Sequence, residues 1–154
     1  MNTEFEIFRK GRELLVNETI SGLTLEQVNE IPKGFNGNII WNLGHMVTTH
    51  RGLVYQLGGH PSGMEKPFIL RYARGSKPEN PVDQAEFDFI KSRLLEQVSE
   101  FELDLKAGIF LNPYKTFVTM TGFEITDHTS AVAFSNFHQA VHIGYIIALK
   151  RSPG

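Results

Sequence analysis

His138 and His142 stand four residues apart in the stretch Phe134-Ser135-Asn136-Phe137-His138-Gln139-Ala140-Val141-His142-Ile143-Gly144-Tyr145. On a helix of 3.6 residues per turn this spacing puts two imidazoles one above the other. Phe134, Val141, Tyr145 and Leu149 share or border that face, so the spacing predicts that it points inward. A buried polar group without a partner costs about 1–3 kcal/mol. One divalent cation satisfies both rings at once. A third imidazole, His45, lies far upstream in the apolar run that begins at Ile39. Three histidines without a cysteine suit Zn²⁺, Ni²⁺ or Fe²⁺. Three protein ligands leave a coordination position open, as catalytic rather than structural zinc sites do. The chain contains no cysteine. A protein thiol nucleophile, a disulfide and a cysteine-type zinc site are therefore excluded.

Helices must carry these residues, and the pattern supplies them. Phe5, Phe8 and Leu15, flanked by Ile7 and Leu14, form a stripe broken by Arg9, Lys10, Arg12 and Glu13, which predicts a first helix over Thr3 to Thr19. Ser21-Gly22 stops it. Thr24-Leu25-Glu26-Gln27 reads as a capping box opening a short helix, with Leu23 and Val28 as its staple and Pro32 and Gly34 at its end. Asn36-Gly37-Asn38 is a turn and a cap. A second long helix then runs from Ile39 to Leu57, until Gly58-Gly59-His60-Pro61 ends it. Gly44 costs about 1 kcal/mol against Ala in a helix interior. That cost is tolerable where another element must approach closely.

Residues 61–82 read as a long Pro- and Gly-rich connection with a turn at Gly75-Ser76-Lys77-Pro78. A connection of this length crosses the molecule or serves a site. Asp83 caps a third helix, whose stripe is Phe87, Ile90, Leu94, Val98, Phe101 and Leu105 and whose stop is Gly108. Residues 109–125 predict an extended segment or small hairpin. Thr126 is expected to cap a fourth helix running to Arg151. Four long amphipathic stretches without a convincing sheet predict an all-α, four-helix bundle with long crossover connections, formed by one domain over residues 1–154. The short first connection would make the first two long helices antiparallel neighbours. Antiparallel packing of the second and fourth would bring His45 and His142 to similar heights, at 1.5 Å per residue.

The chain of 154 residues carries a formal net charge of −2, with 41% hydrophobic and 21% charged residues. This gives no electrostatic footprint for nucleic acid or an anionic membrane. Met1 to Phe8 has no apolar run, which predicts no signal peptide, and no window approaches a membrane span.

The segment Trp41-Asn42-Leu43-Gly44-His45, followed downstream by His138, His142 and Tyr145 at the spacing HxxxHxxY, resembles the DinB/YfiT-like superfamily of small four-helix metalloproteins, which includes bacillithiol and related thiol S-transferases. The resemblance covers nearly the whole chain, the Gly75–Pro78 turn included. It implies an up-down-down-up bundle, a frequent homodimer, and a divalent metal, often zinc or nickel, held by His45, His138 and His142. It implies metal-dependent transfer of a low-molecular-weight thiol to a small electrophile, and the lack of cysteine is compatible with the expected cytoplasmic location. Asn42 and Gln139 are candidates for orienting the rings, and Tyr145 for orienting the electrophile. One departure matters. The position after the first histidine of the pair is often Glu in the family and is Gln139 here. This removes a general base, weakens a hydrolase alternative, and argues against a zincin protease. A non-catalytic dimeric bundle with a vestigial site is the third reading. His50, His60 and His128 read as structural, capping or surface residues, and Trp41 and Phe134 as core.

Overall fold

The computed structural model describes residues 2–152; Met1, Pro153 and Gly154, the ends of the expected domain, lie outside them. The described chain is mostly helical, with one small two-stranded sheet. Helix α1 (Thr3–Leu14) is capped by Asn2, whose side chain accepts from Phe5 N, and widens into a π-type turn over Leu15–Thr19. The capping box on α2 (Leu25–Asn29) has both reciprocal bonds between Thr24 and Gln27. Asn38 caps α3 (Ile39–His50), which continues through a π-type turn at Arg51–Tyr55 and a last 3₁₀ turn to Gly58. Asp83 caps α5 (Gln84–Ala107), and Gly108 closes it in the left-handed conformation at φ 67°.

Four expectations change, the last of them the rotation of α6 described below. The connection over residues 61–82 contains a short helix, α4 (Lys66–Tyr72), with a proline in its first turn. Pro67 supplies a fixed φ where no intrahelical N–H bond is needed, and Phe68 and Tyr72, four apart, turn one face onto the bundle. The cap of α6 (His128–Arg151) is Asp127 rather than Thr126. Asp127 accepts from Ser130 N at 2.8 Å while the Ser130 hydroxyl returns to the cap backbone, and a carboxylate at a helix N-terminus gains from the dipole. Third, α1 packs mainly on α5 and α6, and meets α3 across the interior through Phe8 against His50 and Arg12 Nη2 on Met46 O. Residues 20–38, with α2 among them, are long enough to carry the chain across the bundle.

The expected stripe of α5 is buried from Phe87 to Phe101, and Gln97 is buried with it. Residues 109–125 do form a hairpin, β1 (Phe117–Val118) against β2 (Glu124–Ile125), antiparallel with Phe117 opposite Ile125. Pair contacts fix the relative directions. Asn42 meets His142 and His45 meets His138, so α3 and α6 are antiparallel. Phe5 packs on Phe101 while Arg12 reaches Leu94 and Gln97, so α1 and α5 are antiparallel as well. Among the described residues no helix is long and apolar enough to cross a membrane.

The inward face of α6 is also rotated from expectation. Its buried line runs through Ala131, Ser135, Gln139, Ile146 and Leu149, while Val141 is 53% and Tyr145 37% exposed. His138 and His142 sit beside that line, half-buried. The rotation places the two imidazoles at the edge of the core rather than inside it.

Candidate metal centre

Two of the three rings are aimed by a neighbour. His45 Nδ1 lies 2.8 Å from the carbonyl oxygen of Tyr72, which can only accept, so Nδ1 carries the proton and donates. Asn42 donates its own Nδ2 to Asn38 O at 2.8 Å, which turns Oδ1 toward His142, and His142 Nδ1 donates to that oxygen at 2.7 Å. Both rings are thereby held with an unprotonated Nε2. These atoms converge on His138, whose Nε2 lies 3.1 Å from His45 Nε2 and 3.1 Å from His142 Nε2.

A neutral His138 can donate one proton to one of the two facing lone pairs, and the Thr49 hydroxyl lies 3.4 Å from His45 Nε2 as a second, longer-range donor. A cation satisfies all three. Nitrogens bound tetrahedrally at 2.0–2.1 Å lie about 3.3 Å apart, close to the spacing found here. The three ligand atoms all lie within 4.8 Å of one another, so His45, His138 and His142 could hold one metal ion.

Electrostatics favour the ligand form. Burial lowers the pKa of all three imidazoles, first by desolvation. His138 falls to about 3, helped by His142, His45 and Arg12, and His142 falls to about 4. Neutral imidazole is the form a metal binds. No Asp or Glu joins the group, so a bound divalent ion would keep its full charge and attract an anionic fourth ligand.

The connection from α3 to α5 serves this centre through α4. Gly44 lets the Tyr72 ring lie against α3, since a Cβ there would stand 2.4 Å from Tyr72 Cδ1. The Tyr72 hydroxyl donates to Glu86 on α5 at 2.5 Å, which fixes α4 and with it the carbonyl that aims His45. Trp41 stacks on His45 with ring centroids 4.7 Å apart, and its Nε1–H donates to Ser76 Oγ at 3.0 Å. The Gly75–Pro78 turn therefore pins the indole.

Gln139 takes no part in aiming the rings. Its Oε1 accepts from Arg12 Nε at 2.6 Å and its Nε2 donates to Phe8 O at 3.2 Å. Arg12, read from the sequence as a break in the α1 stripe, is 1% exposed and lies in the core. It also donates to Leu94 O and Gln97 Oε1, both at 2.9 Å, while Gln97 donates to Val47 O at 3.0 Å. This knot joins α1, α3, α5 and α6 one residue from His138. Burial without a carboxylate pushes the guanidinium down to about 9, so it keeps its charge at neutral pH.

Tyr145 lines a cleft of about 330 Å³ together with His142, Asn42 and Trp41. The other histidines lie elsewhere. His50 is buried and stacks on Phe8 at 4.5 Å, with neither ring nitrogen hydrogen-bonded. His128 stacks on Phe110 at 4.3 Å, and His60 Nε2 lies 3.2 Å from Ile109 O. Phe134 stacks on Phe123 at a 6.0 Å centroid distance.

Two participants escaped sequence reading. Tyr72 acts through its backbone oxygen, which no side-chain identity marks. Arg12 was legible in principle, because Phe5, Phe8, Arg12 and Leu15 follow one another at steps of 3, 4 and 3. No curated protein matches the chain. The family model described as the DinB superfamily matches residues 8–146, and with His45, His138 and His142 gathered at one point, the chain belongs to the DinB superfamily.

Proposed function

We propose that this protein is a metal-dependent S-transferase, in which His45, His138 and His142 hold one divalent ion, zinc or nickel, and a small thiol takes the open position. The observation that carries this is the convergence of three Nε2 atoms, two of them held in the ligand tautomer, with no carboxylate among them. A bound ion of this kind supplies Lewis acidity, lowering the pKa of a thiol that reaches it. The chain's own residues do the rest. Tyr72 O and Asn42 orient the rings, and Trp41 and Tyr145 wall the space beside His142 in which an electrophile meets the sulfur. The thiol loses its proton to solvent, its sulfur bonds to the electrophilic carbon, and the leaving group departs with the electrons of the bond that breaks.

The alternative with water as nucleophile needs a general base. Gln139 cannot serve, and it is committed to Arg12 and Phe8. The paired contacts of α3 with α6 and α1 with α5 support an up-down-down-up bundle. The exposed apolar residues Phe137 and Val141 on α6, 54% and 53% exposed, support a homodimer; a sedimentation mass of one chain would exclude it.

The test is metal analysis of protein purified without a histidine tag, beside His138→Ala, followed by a turnover screen with and without added thiols. One ion per chain in the parent, its loss in the variant, and turnover that requires thiol are expected. Equal, substoichiometric metal in both proteins overturns the proposal, and thiol-independent turnover turns it to hydrolysis.

A further inference from the structure

The cleft beside His142 has a composition that selects its ligand. Its walls are Trp41, Pro78, Val141 and Tyr145, with Asn36, Asn42 and Ser76 as polar points. Lys77 is the one residue in its lining with a formal charge, and neither Asp nor Glu lines it. Lys77 is exposed and forms no ion pair among the described residues. The nearby cation Arg71, which lines the adjoining cleft, is by contrast paired with Glu86. The Tyr145 hydroxyl makes no hydrogen bond within the described chain, while its ring is braced edge-on by Phe35 at 5.7 Å. The Trp41 indole is fixed by Ser76, whose single hydroxyl proton has the Ala73 and Arg71 carbonyls within reach, at 2.7 and 2.8 Å. Ser76 and Lys77 are consecutive, so the turn that fixes the indole also sets the position of the lysine backbone. A volume of about 330 Å³ is at the small end for ligand sites, enough for one ring and a short chain.

We infer that this cleft takes a small molecule with a flat apolar body and a carboxylate-type anion, its body against Trp41 and Tyr145 and its acid at Lys77. The inference rests on the S-transfer reading and names a substrate class for the cleft that adjoins the candidate metal centre through His142. Either the electrophile or the thiol can carry the acid, and the recognising chemistry is the same for both.

Trp41 is the only tryptophan in the chain, so its indole N–H gives one signal in a proton–nitrogen correlation spectrum and reports on the cleft directly. The first arm titrates EDTA-treated protein with 3-phenylpropanoate and, separately, with the neutral 3-phenylpropan-1-ol. Without metal, the acid cannot bind an ion, and the result stands apart from the fate of the metal reading. The indole signal is expected to move with both probes, with the acid about fivefold tighter, the upper range of an exposed charge contact. Added salt should erode the difference. Lys77→Gln should abolish it and Lys77→Arg keep it. An exposed turn residue is a tolerant position, and an unchanged melting temperature checks this.

The second arm uses zinc-loaded protein with 3-mercaptopropanoate against propane-1-thiol. A preference for the acid that Lys77→Gln removes in the first arm assigns the anion to the electrophile. A preference found only in the second arm assigns it to the thiol. Either supports the inference. Equal affinity for acid and neutral probe in both arms, selectivity that survives Lys77→Gln, or an indole signal that stays still while others move overturns it. If zinc fails to bind while the first arm succeeds, S-transfer falls and the anion site stands.

Discussion

At the scale of single residues, Asn42 shows how much one amide can decide. Its two ends are both used, Nδ2 on Asn38 O and Oδ1 on His142 Nδ1. Replacing Asn42 by Ala leaves the ligand in place but frees its ring, so metal affinity should fall about 10- to 100-fold. Competition against a chromophoric chelator measures this, and an unchanged affinity would mean that the bond does not aim the ring. The imidazoles themselves predict a pH dependence. In metal-free protein the folded pKa values of His138 and His142 are about 3 and 4, against an ordinary value of 6.5. His45 and the fully enclosed His50 are shifted the same way by burial. Between those limits the unfolded chain binds more protons than the folded one, so stability is whole above about 6.5 and is lost as pH falls toward 4. Urea midpoints of EDTA-treated protein should be level from about pH 7 to 8 and drop steadily below 6.5. A level midpoint down to about pH 5 would contradict the burial of these rings.

Among the elements, α4 is a small helix with a large consequence. It delivers a backbone carbonyl to His45, and it can do so because Gly44 leaves room for the Tyr72 ring. A methyl group at position 44 would meet ring carbons at 2.4 to 2.6 Å, well inside contact distance. Gly44→Ala gains about 1 kcal/mol of helix propensity and loses about 1–3 kcal/mol to overpacking. The net expectation is a protein destabilised by up to about 2 kcal/mol in urea unfolding, with weaker metal binding because α4 is displaced. A stabilised variant with unchanged metal affinity would show that α4 yields without cost. The knot of Arg12, Gln97 and Gln139 works at the same scale from the opposite side. It fixes how α6 is rotated against α1, and that rotation leaves His138 at the edge of the core.

For the whole molecule, the ligands come from two helices that meet only in the folded state, so ion binding and folding are coupled. An ion present at about a hundred times its Kd stabilises by about 2.7 kcal/mol. For a domain of this size that is a rise in Tm of about 5–10 °C. Differential scanning calorimetry of EDTA-treated protein, before and after one equivalent of zinc, should show this rise in the parent and none in a His45→Ala, His142→Ala double variant. Equal shifts in both would place the zinc elsewhere.

Much of the architecture was legible along the chain, because helix periodicity and capping are local. The stripe of α5, the Thr24–Gln27 box and the Asp83 and Gly108 ends depend on residues within a turn or two of one another. The three histidines were legible because imidazole is rare and its helical spacing is conspicuous. The rest depended on distance. Whether α1 lies beside α3, which way α6 is rotated, and whether a Pro-rich connection folds a turn onto the bundle are all decided by how separate faces fill a common interior. The partners that aim the rings are set the same way, since a carbonyl such as that of Tyr72 has no signature of its own. Sequence by itself determined the four long helices and the donor atoms for a cation. Only the tertiary structure decided that those atoms converge at 3.1 Å, that Gln139 belongs to Arg12, and that a lysine-edged cleft opens beside His142, because side chains nearly a hundred positions apart become neighbours only when the core is packed.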